Sequence, residues 1–187
     1  MQPSAEKALV TLPLPTIGAL AAIAGDGTSR VDALRAAGHA GGSALAEAFE
    51  DRVRRTDQEA AHELTMDEFN TRVAEFFARV GWGRMTMSSL HDLVAAIDLE
   101  EAWEPRASGP AGGPSCHMST GALSAFFGAF APYAVAALEV ECSAAGQPRC
   151  RFLLGPPAVL EQVYDRVAAG ADYESALSQL SGASTAA

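Results

Sequence analysis

The chain has 187 residues, with thirteen basic against 23 acidic side chains and a net charge of −10. That balance argues against nucleic-acid binding, which needs a positive footprint, and disfavours docking on anionic membranes. A hydrophobic content of 49% with only 7% aromatics predicts a folded chain of thin, closely packed helices rather than a disordered one.

A single domain over residues 1–187 is expected at this length, with a loosely ordered lead-in at 1–15 and a frayed tail at 181–187. The start, Met-Gln-Pro-Ser-Ala-Glu-Lys, lacks a basic region ahead of an apolar one, and no apolar run reaches about 18 residues. Neither a signal peptide nor a transmembrane helix is therefore expected. Three cysteines without a secretory signal predict a reduced, cytoplasmic protein.

In chain order, Thr11 to Pro15 reads as extended, because its prolines hold it so. Ile17 to Ile23 reads as a short helix ended by Gly25-Asp26-Gly27. Ser29 reads as an N-cap, and Leu34, Ala37, Leu45, Ala48 and Phe49 then recur at helical spacing. Gly38, Gly41 and Gly42 sit inside that pattern, each costing up to about 1 kcal/mol relative to alanine. Either the helix breaks there, or a close backbone across a dimer interface or on a sheet offsets the cost. Arg52 to His62 reads as a charged connection.

Thr65-Met66-Asp67-Glu68 is a capping box, followed by the stripe Phe69, Val73, Phe76, Phe77, Val80 and a stop at Gly81. Trp82 to Ser89 and Asp92 to Trp103 read as a hairpin, and Arg106 to Pro114 as a loop suited to act as a lid. A helix after Cys116 buries Leu123, Phe126, Phe127 and Phe130. A second hairpin spans Tyr133 to Cys142 and Arg149 to Leu154. Pro156-Pro157 opens a helix with Leu160, Val163, Tyr164 and Val167 on its inner face, and Tyr173 to Leu180 adds a short amphipathic piece. This order predicts an α+β fold, an antiparallel sheet of about four strands backed by helices.

Residues 114–155 hold all three cysteines, Cys116, Cys142 and Cys150, together with Glu139. Cys142 and Cys150 flank a turn-rich stretch and can face each other across a hairpin. Glu139 and Cys142 are three apart, so a regular strand would point them to opposite faces, and a bulge or twisted strand end is required to unite them. Cys116 precedes a helix, whose terminal N–H groups stabilise a thiolate. Two readings stand on residue types alone. The four groups form a closed zinc site with no open position for catalysis, or the cysteines are three unrelated small hydrophobes.

The pattern Cys116, Gly121, Glu139, Cys142, Gly146, Cys150, Phe152 resembles the 4-vinyl reductase domain family, which includes phenol-sensing input domains of sigma-54-dependent activators. Ala36-Ala37-Gly38-His39-Ala40-Gly41-Gly42 and Val80-Gly81-Trp82-Gly83 resemble the family more loosely. The resemblance implies zinc bound by Cys116, Glu139, Cys142 and Cys150, and a dimerising α/β domain similar to small TRAPP subunits. The activators' ATPase and DNA-binding domains have no counterpart here.

Three functions follow as expectations. The first is a cytoplasmic, homodimeric, zinc-stabilised sensor-type domain. It would bind a small hydrophobic or aromatic ligand between sheet and helices, with Trp82, His91, Trp103, Phe126 and Tyr133 as pocket residues. The second is an accessory or carrier protein of (bacterio)chlorophyll and tetrapyrrole synthesis, implied by the family name. The third is a dimeric structural adaptor, for which packed aromatics would replace a cavity. No dinucleotide fingerprint and no Ser-His-Asp set are present, so catalysis by this chain is not the expectation. His117 reads as an exposed residue or a support to the metal, and His39 and His62 as surface or interface residues.

Overall fold

The computed structural model describes residues 9–25 and 27–180. The expected frayed tail at 181–187 and the first half of the lead-in lie outside the described residues. The helices are α1 (Leu14–Ala22), α2 (Gly27–Thr56), α3 (Met66–Arg79), α4 (Trp103–Ser108), α5 (His117–Gly128), α6 (Pro157–Ala168) and α7 (Tyr173–Ser178). The strands are β1 (Arg84–His91), β2 (Val94–Glu100), β3 (Ala136–Glu141) and β4 (Cys150–Gly155). They form a four-stranded antiparallel sheet in the order β1-β2-β4-β3.

Strand alternation gives the sheet two buried faces. Met85, Ile97, Leu99 and Phe152 join the core built with α2, α3 and α5. Val94, Ala96 and Leu153 join a second core with Leu160, Val163 and Leu177 of α6 and α7. Phe49 of α2 is fully buried, and its ring meets those of Phe69, Phe76, Phe126 and Phe130 edge-on at 5.5–5.6 Å, an arrangement that adds to plain area burial.

The long helix α2 runs 30 residues without a break. A Cβ on Gly38 would overlap the Met118 carbonyl oxygen, and one on Gly42 the Ala122 carbonyl oxygen. Gly121 returns the contact, since a Cβ there would overlap Arg35 O. The backbone approaching the glycines is thus α5 of the same chain, not a sheet or a second copy. Close packing of two helix backbones offsets the low helix propensity of glycine.

Several boundaries differ from expectation. Helix α1 begins at Leu14 because Pro13 and Pro15 fall at its N-cap and first turn, where a missing N–H does no harm. The charged segment from Arg52 to Thr56 is the last turn of α2. The stretch from Arg106 is helical to Ser108, since Pro105 lies in the first turn of α4, and only Gly109, at φ 80°, ends it. Trp103 opens that helix rather than closing a strand. Tyr164 is 57% exposed, while its neighbour Val163 points inward. The Thr65–Glu68 capping box forms in both directions, and its Glu68 also accepts from Thr65 Oγ1 at 2.6 Å.

Candidate metal centre

Strand β3 carries Glu139 and leads into Cys142, and β4 starts at Cys150, which pairs with Leu99 of the central strand β2. The register between β3 and β4 slips between Glu139 and Glu141. That irregularity turns Glu139 and Cys142 to the same side, as their three-residue spacing demands. Cys116 is the N-cap of α5.

One ligand atom each from Cys116, Glu139, Cys142 and Cys150 lies within 4.8 Å of all the others, and all four residues are buried. Cys116 Sγ is 3.5 Å from Cys150 Sγ and 3.8 Å from Cys142 Sγ. A tetrahedron with metal–sulfur bonds of about 2.3 Å has sulfur–sulfur edges of about 3.8 Å, so the spacing suits a small tetrahedral ion. Glu139 Oε2 accepts the N–H of Cys116 at 2.8 Å, whereas its Oε1 is buried with no hydrogen-bond partner among the described residues. A buried carboxylate oxygen without a partner is costly, and a cation beside it removes that cost. The donor set therefore fits a metal ion.

Electrostatics agree. Burial pushes the Glu139 carboxyl up to about 8. Contact with Cys142 pushes the Cys116 thiol well above its ordinary range, while thiols donated by Cys116 and Cys150 pull Cys142 down. Cys150 is pulled down by Cys116, but Cys142 and burial outweigh this and leave it at about 11. Ser115 Oγ sits 3.5 Å from Cys142 Sγ, and the Ser143 N–H donates to Cys150 Sγ at 3.4 Å. Such contacts orient thiolate ligands. Burial, with Arg35 and Arg30 close by, holds the adjacent His117 toward its neutral form.

One residue that the sequence analysis passed over stands next to this centre. Glu104 is 4% exposed, and its two carboxylate oxygens accept the N–H groups of Met118 and Ser119 at 2.9 and 2.8 Å. It holds the first turn of α5, the helix that Cys116 caps. Burial is the largest influence on its carboxyl and raises its pKa despite those bonds. Its partners lie 14 and 15 residues away, so only the Trp-Glu pair at the start of α4 could have hinted at it.

Two cavities adjoin this turn on the helical side of the molecule, not between sheet and helices. The larger, about 660 Å³, is enclosed by α1, α2 and the α3–β1 joint, and Trp82 and Trp103 line it. The smaller, about 280 Å³, lies between α1, α4 and the start of α5, with Trp103, Glu104 and His117 in its wall and Gly109 and Pro110 at its rim. The remaining expected pocket residues sit elsewhere. Phe126 is fully buried in the aromatic core, Tyr133 is 54% exposed, and His91 Nδ1 accepts the Leu93 N–H in the β1–β2 turn.

Residues 96–156 match the 4-vinyl reductase domain. All four residues of the buried cluster fall inside the matched segment. No curated protein matches the chain. Among solved structures, the fold is similar to the phenol-responsive sensory domain of the transcription activator PoxR, solved with phenol. The TM-score is 0.61 at 23% identity, covering 88% of this chain and 83% of that one. It is also similar to a vinyl-4-reductase family protein from Methanocaldococcus jannaschii, with a TM-score of 0.54, 16% identity and coverage of 80% and 84%. A third likeness is trafficking protein particle complex subunit 3 from Naegleria fowleri, covalently bound to palmitic acid. Its TM-score is 0.51 at 11% identity, over 75% of this chain and 87% of that one. These likenesses establish an α+β fold of the 4-vinyl reductase domain type. No helix among the described residues is long and apolar enough to cross a membrane.

Proposed function

We propose that the chain is one cytoplasmic, homodimeric, sensor-type domain over residues 1–187, which binds a small apolar or aromatic molecule and has no catalytic residues of its own. Zinc is the ion assigned to Cys116, Glu139, Cys142 and Cys150. Three thiolates and one carboxylate suit it, and with four protein ligands its role is to hold α5 against the β3–β4 hairpin.

The observation that carries the binding role is Trp103. It borders both cavities, and its indole Nε1 is buried with no hydrogen-bond partner among the described residues. An unmet buried donor in a cavity wall is what a ligand with one acceptor atom would complete. An adaptor with no ligand would be expected to pack this region solid. The PoxR domain solved with phenol and the TRAPP subunit carrying palmitic acid lend support to a ligand-binding use of this architecture.

The test is a panel of phenol, 2-naphthol, dodecan-1-ol and dodecanoate, followed by tryptophan fluorescence and thermal shift, alongside metal analysis of the purified protein. About one zinc per chain and a saturable response to at least one compound are expected. A metal-free preparation that is fully folded, or silence across the whole panel, rules against the respective half of the reading.

A further inference from the structure

The two cavities differ in chemistry and share part of their wall, formed by Ile17, Ala21, Leu34, Trp103 and Met118. The larger is walled chiefly by aliphatic side chains, among them Leu9, Leu12, Leu14, Leu20 and Leu45. At about 660 Å³ it lies in the range of cavities that take drug-sized molecules. A single aromatic ring would leave much of that apolar space unfilled, and unfilled apolar wall forfeits dispersion contacts.

The smaller cavity is lined by hydrogen-bonding groups: Arg30, Glu104, Ser108, Ser115 and His117 join Trp103 in its wall. Its acceptors are already used, because both Glu104 oxygens are taken by backbone N–H groups at the start of α5. That carboxylate also lies at the positive end of a 12-residue helix, which offsets its charge. The donors are not used. Arg30 is half-buried and makes no ion pair or hydrogen bond to another described residue, and the Trp103 N–H has no partner there either. In a chain of net charge −10, this corner is locally positive and rich in free donors.

Resting on the binding role above, we propose that the ligand is an acidic amphiphile, with an extended aliphatic body in the larger cavity and a carboxylate head at Arg30 and Trp103 in the smaller one. A guanidinium can meet both oxygens of a carboxylate, and charge-assisted contacts of that kind are stronger than neutral ones.

Dodecanoate, dodecan-1-ol and phenol are the probes, each used below its aggregation concentration. Both tryptophans of the chain, Trp82 and Trp103, line the larger cavity, so intrinsic fluorescence reports its occupation. Dodecanoate should bind at least about tenfold more tightly than dodecan-1-ol. Arg30→Gln should remove most of that difference by weakening dodecanoate alone, and Arg30→Lys should retain part of it. Equal affinities for acid and alcohol, or an Arg30→Gln loss shared by both, overturn the acidic head. Phenol binding more tightly than both chains overturns the extended body and leaves the binding role standing. Failure of all three probes overturns the proposal and counts against the binding role itself.

Discussion

The backbone N–H of Cys116 donates to Glu139 Oε2 at 2.8 Å, which ties the N-cap of α5 to β3 while Glu139 Oε1 stays buried and unpartnered. One carboxylate thus has two separate tasks, a helix cap and an ion ligand, and substitutions can separate them. Glu139→Gln keeps an oxygen for the Cys116 N–H but loses the charge. It should stay folded and release metal to a chelator at least about tenfold faster. Cys142→Ser removes a thiolate outright and should lose both metal and stability, by at least about 3 kcal/mol or roughly 10 °C in Tm. Elemental analysis with thermal melts reads both. A Cys142→Ser protein with wild-type metal content and Tm would end the metal assignment.

Metal loading should be coupled to protons. With Glu139 held up at about 8 and Cys150 at about 11, the empty centre is mostly protonated at neutral pH, and a metal must displace those protons. Affinity should therefore rise with pH and fall steeply in acid, with about two to three protons released per ion at pH 7. Calorimetry in buffers of different ionisation enthalpy counts them. Release of no protons would mean that these groups are not the ligands.

The glycines of α2 predict opposite signs at neighbouring positions. A Cβ added at Gly41 would have nothing within 4 Å, whereas one at Gly42 would meet the Ala122 backbone. Gly41→Ala should stabilise the protein by about 0.5–1 kcal/mol through helix propensity. Gly42→Ala should force α2 and α5 apart and destabilise it by about 2 kcal/mol or more. Urea unfolding of the two variants side by side decides whether the helices meet at these residues.

The other face of the sheet carries a polar tie between the hairpin and α7. Tyr173 Oη accepts from Arg151 Nη1 at 2.8 Å and donates to Glu141 Oε1 at 2.8 Å, and Arg151 forks onto Asp98 at 2.6 and 2.7 Å. Glu141 precedes one cysteine and Arg151 follows another. Tyr173→Phe should cost about 1–2 kcal/mol and raise hydrogen exchange in α7 without changing metal content. A loss of metal would show that this tie supports the centre directly.

Local chemistry made much of this legible in advance. The Thr65–Glu68 box, the α3 stripe ending at Phe77, the second hairpin and the need for a bulge between Glu139 and Cys142 all follow from side-chain period and capping, which act over a few residues. The pocket was legible only in part. Trp82 and Trp103 line the larger cavity, but Phe126, His91 and Tyr133 do not, because nothing in an isolated aromatic or histidine says whether its neighbours will fill the space around it. Glu104 was invisible for the same reason, as the N–H groups it accepts come from a helix that begins beyond an intervening loop.

The sequence by itself determined which segments are helix or strand and which four side chains have the chemistry of a metal site, since periodicity, caps and ligand types are properties of short stretches. Only the tertiary structure decided that Gly38, Gly42 and Gly121 interlock within one chain, that Glu104 holds the turn beside Cys116, and that the cavities lie on the helical side under α1. Those outcomes depend on which surfaces come within van der Waals reach after the chain closes on itself, and no local pattern encodes that.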